Sequence, residues 1–444
     1  MAILRPFNAL RYDLAQAGAR LEQLICPPYD VIDPALQEAL HRKSPHNIVH
    51  VELAQACPGD APGKDRYSRA AATLHDWIAR GVLRRDERPA FYVYEQTFDI
   101  ARGGASRSKL LTRRGFFGAI KLEPFGTGCV YPHEETFGGP KADRLDLMRA
   151  CAANVSPVFG LIPDEDNAIA GLLQTAVRLA PPAAQATEDN GVVNKLWVVN
   201  DPGWCRKLSA QLGSKNIFIA DGHHRYETAC NYRNERRQAD GDPEGKLDRD
   251  YDYGLMVCVP MSDAGLYILP THRLIQAAPG LSPQGFLRAA APLFDLQDAT
   301  DKELCALAEG QAGAVKFGAV FSDGSRKILV AKPQAALAMK RAVAAKSESW
   351  RGLDVALLQE LVLKGLLGLS EEKVLRKEGI SYTPETRQAI AKVTAPGGPY
   401  VMGFILRPTL IEQVRAVATG GEKMPQKSTY FFPKLTTGLV MRGL

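Results

Sequence analysis

Apolar and polar positions change period several times along the chain, and each change marks an element. "PAFYVYEQTFDI" (89–100) alternates as a strand and "RRGFFGAIKLEPF" (113–125) returns, so 91–98 and 114–122 read as a hairpin around the basic loop "ARGGASRSKLLTR". "DRYSRAAATLHDWIARGVL" (65–83) sets Ala71, Leu74, Trp77 and Ile78 on one side, with Gly81 as the stop of a helix. "RLEQLICPPYDVID" (20–33) reads as a strand entering a Pro-Pro turn, and the β-branched "SPHNIVHVEL" as another strand. "KADRLDLMRA" (141–150) and "PGWCRKLSAQL" have helical spacing, whereas "SPVFGLIPDE" (156–165) and "NKLWVVND" (194–201) are strand-like. "YDYGLMVCVPM" (251–261) and "GLYILPTHRLI" (265–275) suggest a hairpin around Ser262-Asp263. A further hairpin, "AVKFGAVFSDGSRKILVA" (314–331), carries the turn signal Asp323-Gly324; "LDVALLQELVLKGLLGL" (353–369) is a helix and "YVMGFILRP" (400–408) a strand.

Strands and helices mix without the strict alternation of a doubly wound sheet. The expected class is α+β, mixed sheets with hairpins and flanking helices. The expected organisation is an N-terminal α+β region (1–112), a core (113–276) and a C-terminal α+β region (277–444) whose tail returns to the core.

Composition narrows the classes. The 444 residues are 45% hydrophobic and 23% charged, with 55 Lys plus Arg against 49 Asp plus Glu, a net charge of +6. Spread this thinly, the basic excess forms no nucleic-acid arm, and no helix-turn-helix with a basic recognition helix stands out. A nucleic-acid partner is therefore not expected, and a small anionic ligand suits the balance equally well. No apolar run approaches the roughly 18 residues of a spanning helix, so no membrane partner is expected. The eight cysteines are scattered without a CxxC pair, which reads as reduced thiols of a cytoplasmic protein. No pattern sets the oligomeric state.

The chemistry concentrates at "FIADGHHRYETA" (218–229), where an apolar strand runs into Asp221-Gly222 and then a helix-like pattern. Glycine permits a sharp turn and close approach of a ligand. The helix that follows offers unpaired N–H groups and the positive end of its dipole to an anion. Arg225 adds a fork of donors suited to phosphate, His224 another donor, and Thr228 a hydroxyl one turn on. Asp221 is placed to reach Mg²⁺ through water or to orient a histidine. The plainer alternative is a turn and N-cap, with Arg225 in an ordinary ion pair.

A second group, "YPHEETFGGPKADRLDL" (131–147), holds His133, Glu134 and Glu135 in a loop, then Lys141, Asp143 and Arg144 entering a helix. "LPTHRL" adds His272 and Arg273 at a strand end, and "PQKST" adds Lys427, Ser428 and Thr429, followed by Lys434. Ordinary loop, helix-face and tail packing explains each of these as well. His46 and His50 lie four apart in a stretch read as strand, so they do not share a face for metal.

These segments resemble a family of bacterial and archaeal cytoplasmic proteins of unestablished function. That family carries "RPF…CPPYDVI", "HEET…K.DRL", "DGHHRYETA", "LPTHRL" and a "MPQKSTYFFPK"-like element, and all five stand here between residues 5 and 434. The resemblance also raises a pocket role for Asp30. Over about a dozen residues the motif is similar to the ParB/sulfiredoxin superfamily, including free serine kinases. Gly222, His224, Arg225, Tyr226 and Glu227 match the sulfiredoxin segment, but His223 replaces its nucleophilic cysteine, which removes sulfinic-acid chemistry.

The resemblance implies a nucleotide phosphate on this turn, ATP or ADP with CTP as the alternative, together with Mg²⁺. It further implies a phosphotransferase acting on a small hydroxylated metabolite such as serine. In that reading His133, Glu134, Glu135 and His223 are the catalytic candidates, and the spacing does not separate Glu134 from Glu135 as the base. Asp221, Gly222, His224, Arg225, Thr228, Lys141, Arg144, His272, Arg273 and Lys427 are the phosphate-side candidates. Two alternatives stand beside it: a metal-dependent hydrolase or lyase using His133, Glu134, Glu135, His223, His224 and His272, and a nucleotide switch of ParB type.

Overall fold

A computed structural model describes residues 2–105, 107–134, 138–278, 280–310 and 313–444. It is a mixed α/β molecule built on two large sheets. The first has nine strands. Its order is Val130–Tyr131, Ile217–Asp221, Val158–Ile162, Tyr253–Pro260, Leu110–Lys121, Phe91–Asp99, Val193–Val199 and Ala184–Thr187, with Leu4–Arg5 added beside Leu110–Lys121. The predicted hairpin forms its centre, Tyr92 opposite Phe117 and Glu95 opposite Arg114.

Continuous apolar strands such as Ile217–Asp221 require cover on both faces. Ile217 and Ile219 pack with Leu173, Leu208, Tyr226 and Ala229 of the flanking helices. Phe218 and Ala220 pack on the opposite face with Phe431, Leu435 and Leu439 of the C-terminal tail. The tail thus closes the far face of the sheet.

The second sheet has six antiparallel strands in the order Phe294–Asp298, Arg326–Ala331, Lys316–Phe321, Tyr400–Ile405, His272–Gln276 and Ile380–Thr383. Its hairpin turns at Asp323-Gly324 as expected, with Lys316–Phe321 pairing Arg326–Ala331.

Three expectations change. The 20–33 segment contains a helical turn, Leu21–Leu24, and a 3₁₀ turn, Tyr29–Val31, in place of a strand. Val49–Glu52 is likewise helical: with Val49, Val51 and Glu52 all buried, tertiary packing overrides the β preference of its branched residues. The expected 251–275 hairpin does not form. Tyr253–Pro260 stays in the first sheet, Tyr267–Leu269 pairs with Tyr430–Phe432, and His272–Gln276 enters the second sheet. That stretch is the crossing between sheets, and the returning tail lies alongside it. All eight cysteines are free, and among the described residues no helix is long and apolar enough to cross a membrane.

Candidate functional site

The strand Ile217–Asp221 ends at Gly222, which adopts φ 84° and opens the helix His223–Ala239. Glycine is required here twice over. The left-handed backbone disfavours a side chain, and a Cβ would stand 2.9 Å from Nε of Arg225.

A β-bulge lies between Ile219 and Asp221 and sets Asp221 opposite Phe159. Strict alternation puts Asp221 on the helix-covered face with Ile219. The bulge turns it to the other face, where Phe159, Phe218 and Ala220 meet the tail. There the Asp221 carboxylate lies 3.3 Å from the Lys434 ammonium and 3.3 Å from Nη2 of Arg225. Burial raises this carboxyl, but Lys434 and Arg225 overcome it and hold it well below the usual range. Burial lowers the Lys434 ammonium, and Asp221 with Asp30 more than reverses that.

Beside Asp221 opens a cavity of about 420 Å³. Asp30 and Val31 come from the CPPYDVI turn, Glu134 from the HEET segment, and Asp221 from the motif strand. Lys377, Tyr382 and Thr383 come from around the edge strand of the second sheet, and Lys427, Tyr430 and Lys434 from the tail. Three lysines and three carboxylates thus face one space between the two sheets. Of the residues named from the sequence, Asp30, Glu134, Asp221, Lys427, Thr429 and Lys434 line it. Glu134 accepts the backbone N–H of Lys427, which itself sits at φ 55°.

The other candidates stand behind that wall or away from it. Arg225 is buried at 7% exposure and donates Nη1 to the Pro157 carbonyl and Nη2 to Asp221. Its guanidinium grips protein and is not among the cavity's walls. His133 is fully buried, with Nδ1 at 2.6 Å from the Ile219 carbonyl and Nε2 at 2.8 Å from Thr429 Oγ1. The backbone N–H of His133 donates to Nε2 of His223 at 3.2 Å, which makes His223 the neutral Nδ1–H form. Burial pushes both imidazoles down, His223 furthest. These two histidines join the HEET loop to the motif helix.

His272 is equally buried. It accepts the Leu406 N–H at Nδ1 and meets Thr386 Oγ1 at 2.9 Å, and burial carries it down to about 3. Arg273, 2% exposed, donates to the carbonyls of Thr271, Gln426 and Lys427 and so shapes the loop that presents Lys427. Lys141 pairs with Glu227 at 2.6 Å, and Arg144 lies over Tyr29 at 4.2 Å while pairing with Asp143. The buried Thr228 hydroxyl has only a long contact, 3.5 Å, to the Lys141 carbonyl. His224 is half-buried among Glu227, Lys141, Glu134 and Lys427, and burial lowers it. Glu135 lies outside the described residues.

The Asp221 carboxylate meets two cations, Arg225 and Lys434. Among the described residues no three His, Cys, Asp or Glu side chains gather as a metal set, because His133, His223 and His272 are each committed inside the protein.

Sequence reasoning passed over Lys377 and Tyr382, which belong to no motif, whereas Lys434 closes the MPQKSTYFFPK element. The tail strand buries Phe431 against the sheet and brings Lys434 to Asp221.

Among solved structures the chain is similar to a conserved hypothetical protein from Pyrococcus furiosus, at 13% identity over 69% of this chain and 89% of that one, with a TM-score of 0.33. It is similar to a free serine kinase in complex with AMP at 12% identity over 68% and 83%, TM-score 0.33. It is also similar to C-terminally truncated SbnI from Staphylococcus aureus at 8% identity over 70% and 83%, TM-score 0.31. No curated protein matches the sequence. The family model for protein of unknown function DUF1015 matches residues 4–356, and with most of its length matched, the chain belongs to the DUF1015 family.

Proposed function

We propose that the cavity beside Asp221 binds the phosphates of a nucleotide and that the protein transfers a phosphoryl group to the hydroxyl of a small metabolite. One observation carries this reading. Lys427 and Lys434 face a cavity of about 420 Å³ at the turn where Gly222 opens a 17-residue helix. That volume lies in the range of small-molecule sites. Paired ammonium groups suit phosphate oxygens, and Tyr382 and Tyr430 offer flat walls to a base.

Phosphoryl transfer asks mainly for positioning and charge. In this reading Lys427 and Lys434 hold the phosphate oxygens, and Asp221 holds Lys434. Glu134, fixed by the Lys427 N–H, accepts the proton of the attacking hydroxyl. Arg225 becomes a positioning residue for Asp221. The sequence resemblance of residues 218–229 to nucleotide-binding turns points the same way.

The test is to incubate the protein with ATP, ADP or CTP and Mg²⁺ across a panel of hydroxylated metabolites. Consumption of one nucleotide with a raised melting temperature is expected. If no nucleotide is consumed and none shifts the melting temperature, the reading is wrong.

A further inference from the structure

Behind the motif lies a second, smaller cavity of about 40 Å³, walled by Glu52, Arg144, Asn154, Ser156, Arg225 and Thr228 among others. Glu52 is fully buried. Its Oε1 accepts the Ser156 hydroxyl at 2.9 Å and lies 3.7 Å from Nη1 of Arg144, which also donates to the Glu52 carbonyl at 2.8 Å. The Tyr29 backbone N–H also lies close enough to lower the Glu52 carboxylate, but the buried Oε2 has no protein partner in hydrogen-bond geometry. Arg225 spends Nη1 on Pro157 and Nη2 on Asp221, and its Nε is also buried with no protein partner. Thus an unpaired acceptor and an unpaired donor belong to two residues lining one cavity.

Folded proteins satisfy such groups with ordered water where there is room. One water needs roughly 10–15 Å³, so this cavity has space for at least one. Its charges argue against an ion: Arg144 and Arg225 oppose a cation, and Glu52 opposes an anion. Asn154, Ser156 and Thr228 add polar wall.

We propose that this cavity is a built water site, and that through it Glu52 is a positioning residue for the cavity beside Asp221. The water accepts the Nε–H of Arg225 and donates to Oε2 of Glu52. This fixes the guanidinium whose Nη2 holds Asp221, and Asp221 in turn holds Lys434. Only the last step, the effect on ligand affinity, rests on the nucleotide reading.

The experiment has a ligand-free part and a ligand part. A crystal structure of the full chain at better than about 2 Å is expected to show ordered water within hydrogen-bond distance of both atoms. In ¹⁵N spectra the Arg225 Nε–H is expected to exchange slowly, and roughly tenfold faster in Glu52→Gln. Ser156→Ala, which frees Oε1 without changing the charge, keeps the test available should Glu52→Gln fold poorly. In titrations with ADP both variants are expected to bind more weakly, Glu52→Gln by roughly tenfold.

An empty cavity together with unchanged Nε–H exchange overturns the water site. Water present, with ADP affinity unchanged in both variants while the native chain binds ADP, overturns the positioning role. A native chain that binds no ADP overturns the nucleotide reading instead, and the water link then stands or falls on the density and the exchange rate.

Discussion

The Lys434 ammonium stands 3.3 Å from the Asp221 carboxylate, joining the C-terminal tail to the end of the motif strand. Both groups are mostly shielded from solvent, at 15% and 17% side-chain exposure. Each therefore depends on the other for its charge. The Lys434→Met variant leaves Asp221 with Arg225 alone and is expected to lose about 1–3 kcal/mol of stability, read by urea unfolding. Asp221→Asn is expected to cost more than Lys434→Met, since it takes the carboxylate from both Lys434 and Arg225. Two variants each as stable as the native chain would show that the pair is incidental.

Lys427 and Glu134 separate binding from turnover. The Lys427 side chain is exposed, so Lys427→Ala should change stability by less than about 0.5 kcal/mol. Its nucleotide affinity should fall by about tenfold, the worth of one charge-assisted contact. Glu134→Gln keeps an acceptor for the Lys427 N–H but not a base. Calorimetry should find its nucleotide affinity near native, while turnover drops by about 10²–10⁴.

Gly222→Ala tests the turn itself. The left-handed backbone costs a non-glycine residue roughly 1–2 kcal/mol, and the new methyl also presses on the Arg225 guanidinium. Denaturant midpoints should fall accordingly. A midpoint equal to native would mean the turn relaxes freely.

Stability should fall in acid from near neutrality. Burial lowers His133, His223 and His272, the last to about 3. An unfolded chain takes up these protons at about pH 6.5, where the folded one does not. The stability is intact above that pH and is lost as pH falls toward the folded values, by up to about 1.4 kcal/mol per pH unit for each histidine. Asp221, lowered in the fold, adds a loss of the same sign below about pH 4. Glu52 is raised by burial and has the opposite sign: its contribution is present in acid and lost as pH rises through its folded value. His272→Gln should flatten the slope between pH 6 and 4 by one proton, measured by unfolding at a series of pH values. An unchanged slope would remove His272 from the account.

Particular residues show how much of this was legible beforehand. The Asp221-Gly222 turn and its helix read directly, because strand, glycine and helix are local and contiguous. The predicted 91–98 and 114–122 hairpin likewise forms, although its strands are buried on both faces rather than alternately. The roles of Arg225, His133, His223 and His272 did not read directly: a charged or imidazole side chain looks the same in sequence whether it meets a ligand or a carbonyl. The 251–275 hairpin failed because two apolar runs around a polar turn carry no record of which sheet each joins.

By itself the sequence determined the mixed α and β character, the 91–98 and 114–122 hairpin and the turn at Gly222, since backbone freedom, side-chain period and apolar content act over a few neighbouring residues. Tertiary structure alone decided which charges meet. The bulge after Ile219 turns Asp221 toward the tail, burial of Phe431 brings Lys434 to it, and the second sheet supplies Lys377 and Tyr382. Those encounters follow from how two hydrophobic sheets pack and strap together, a free energy summed over the whole chain and readable at no single position.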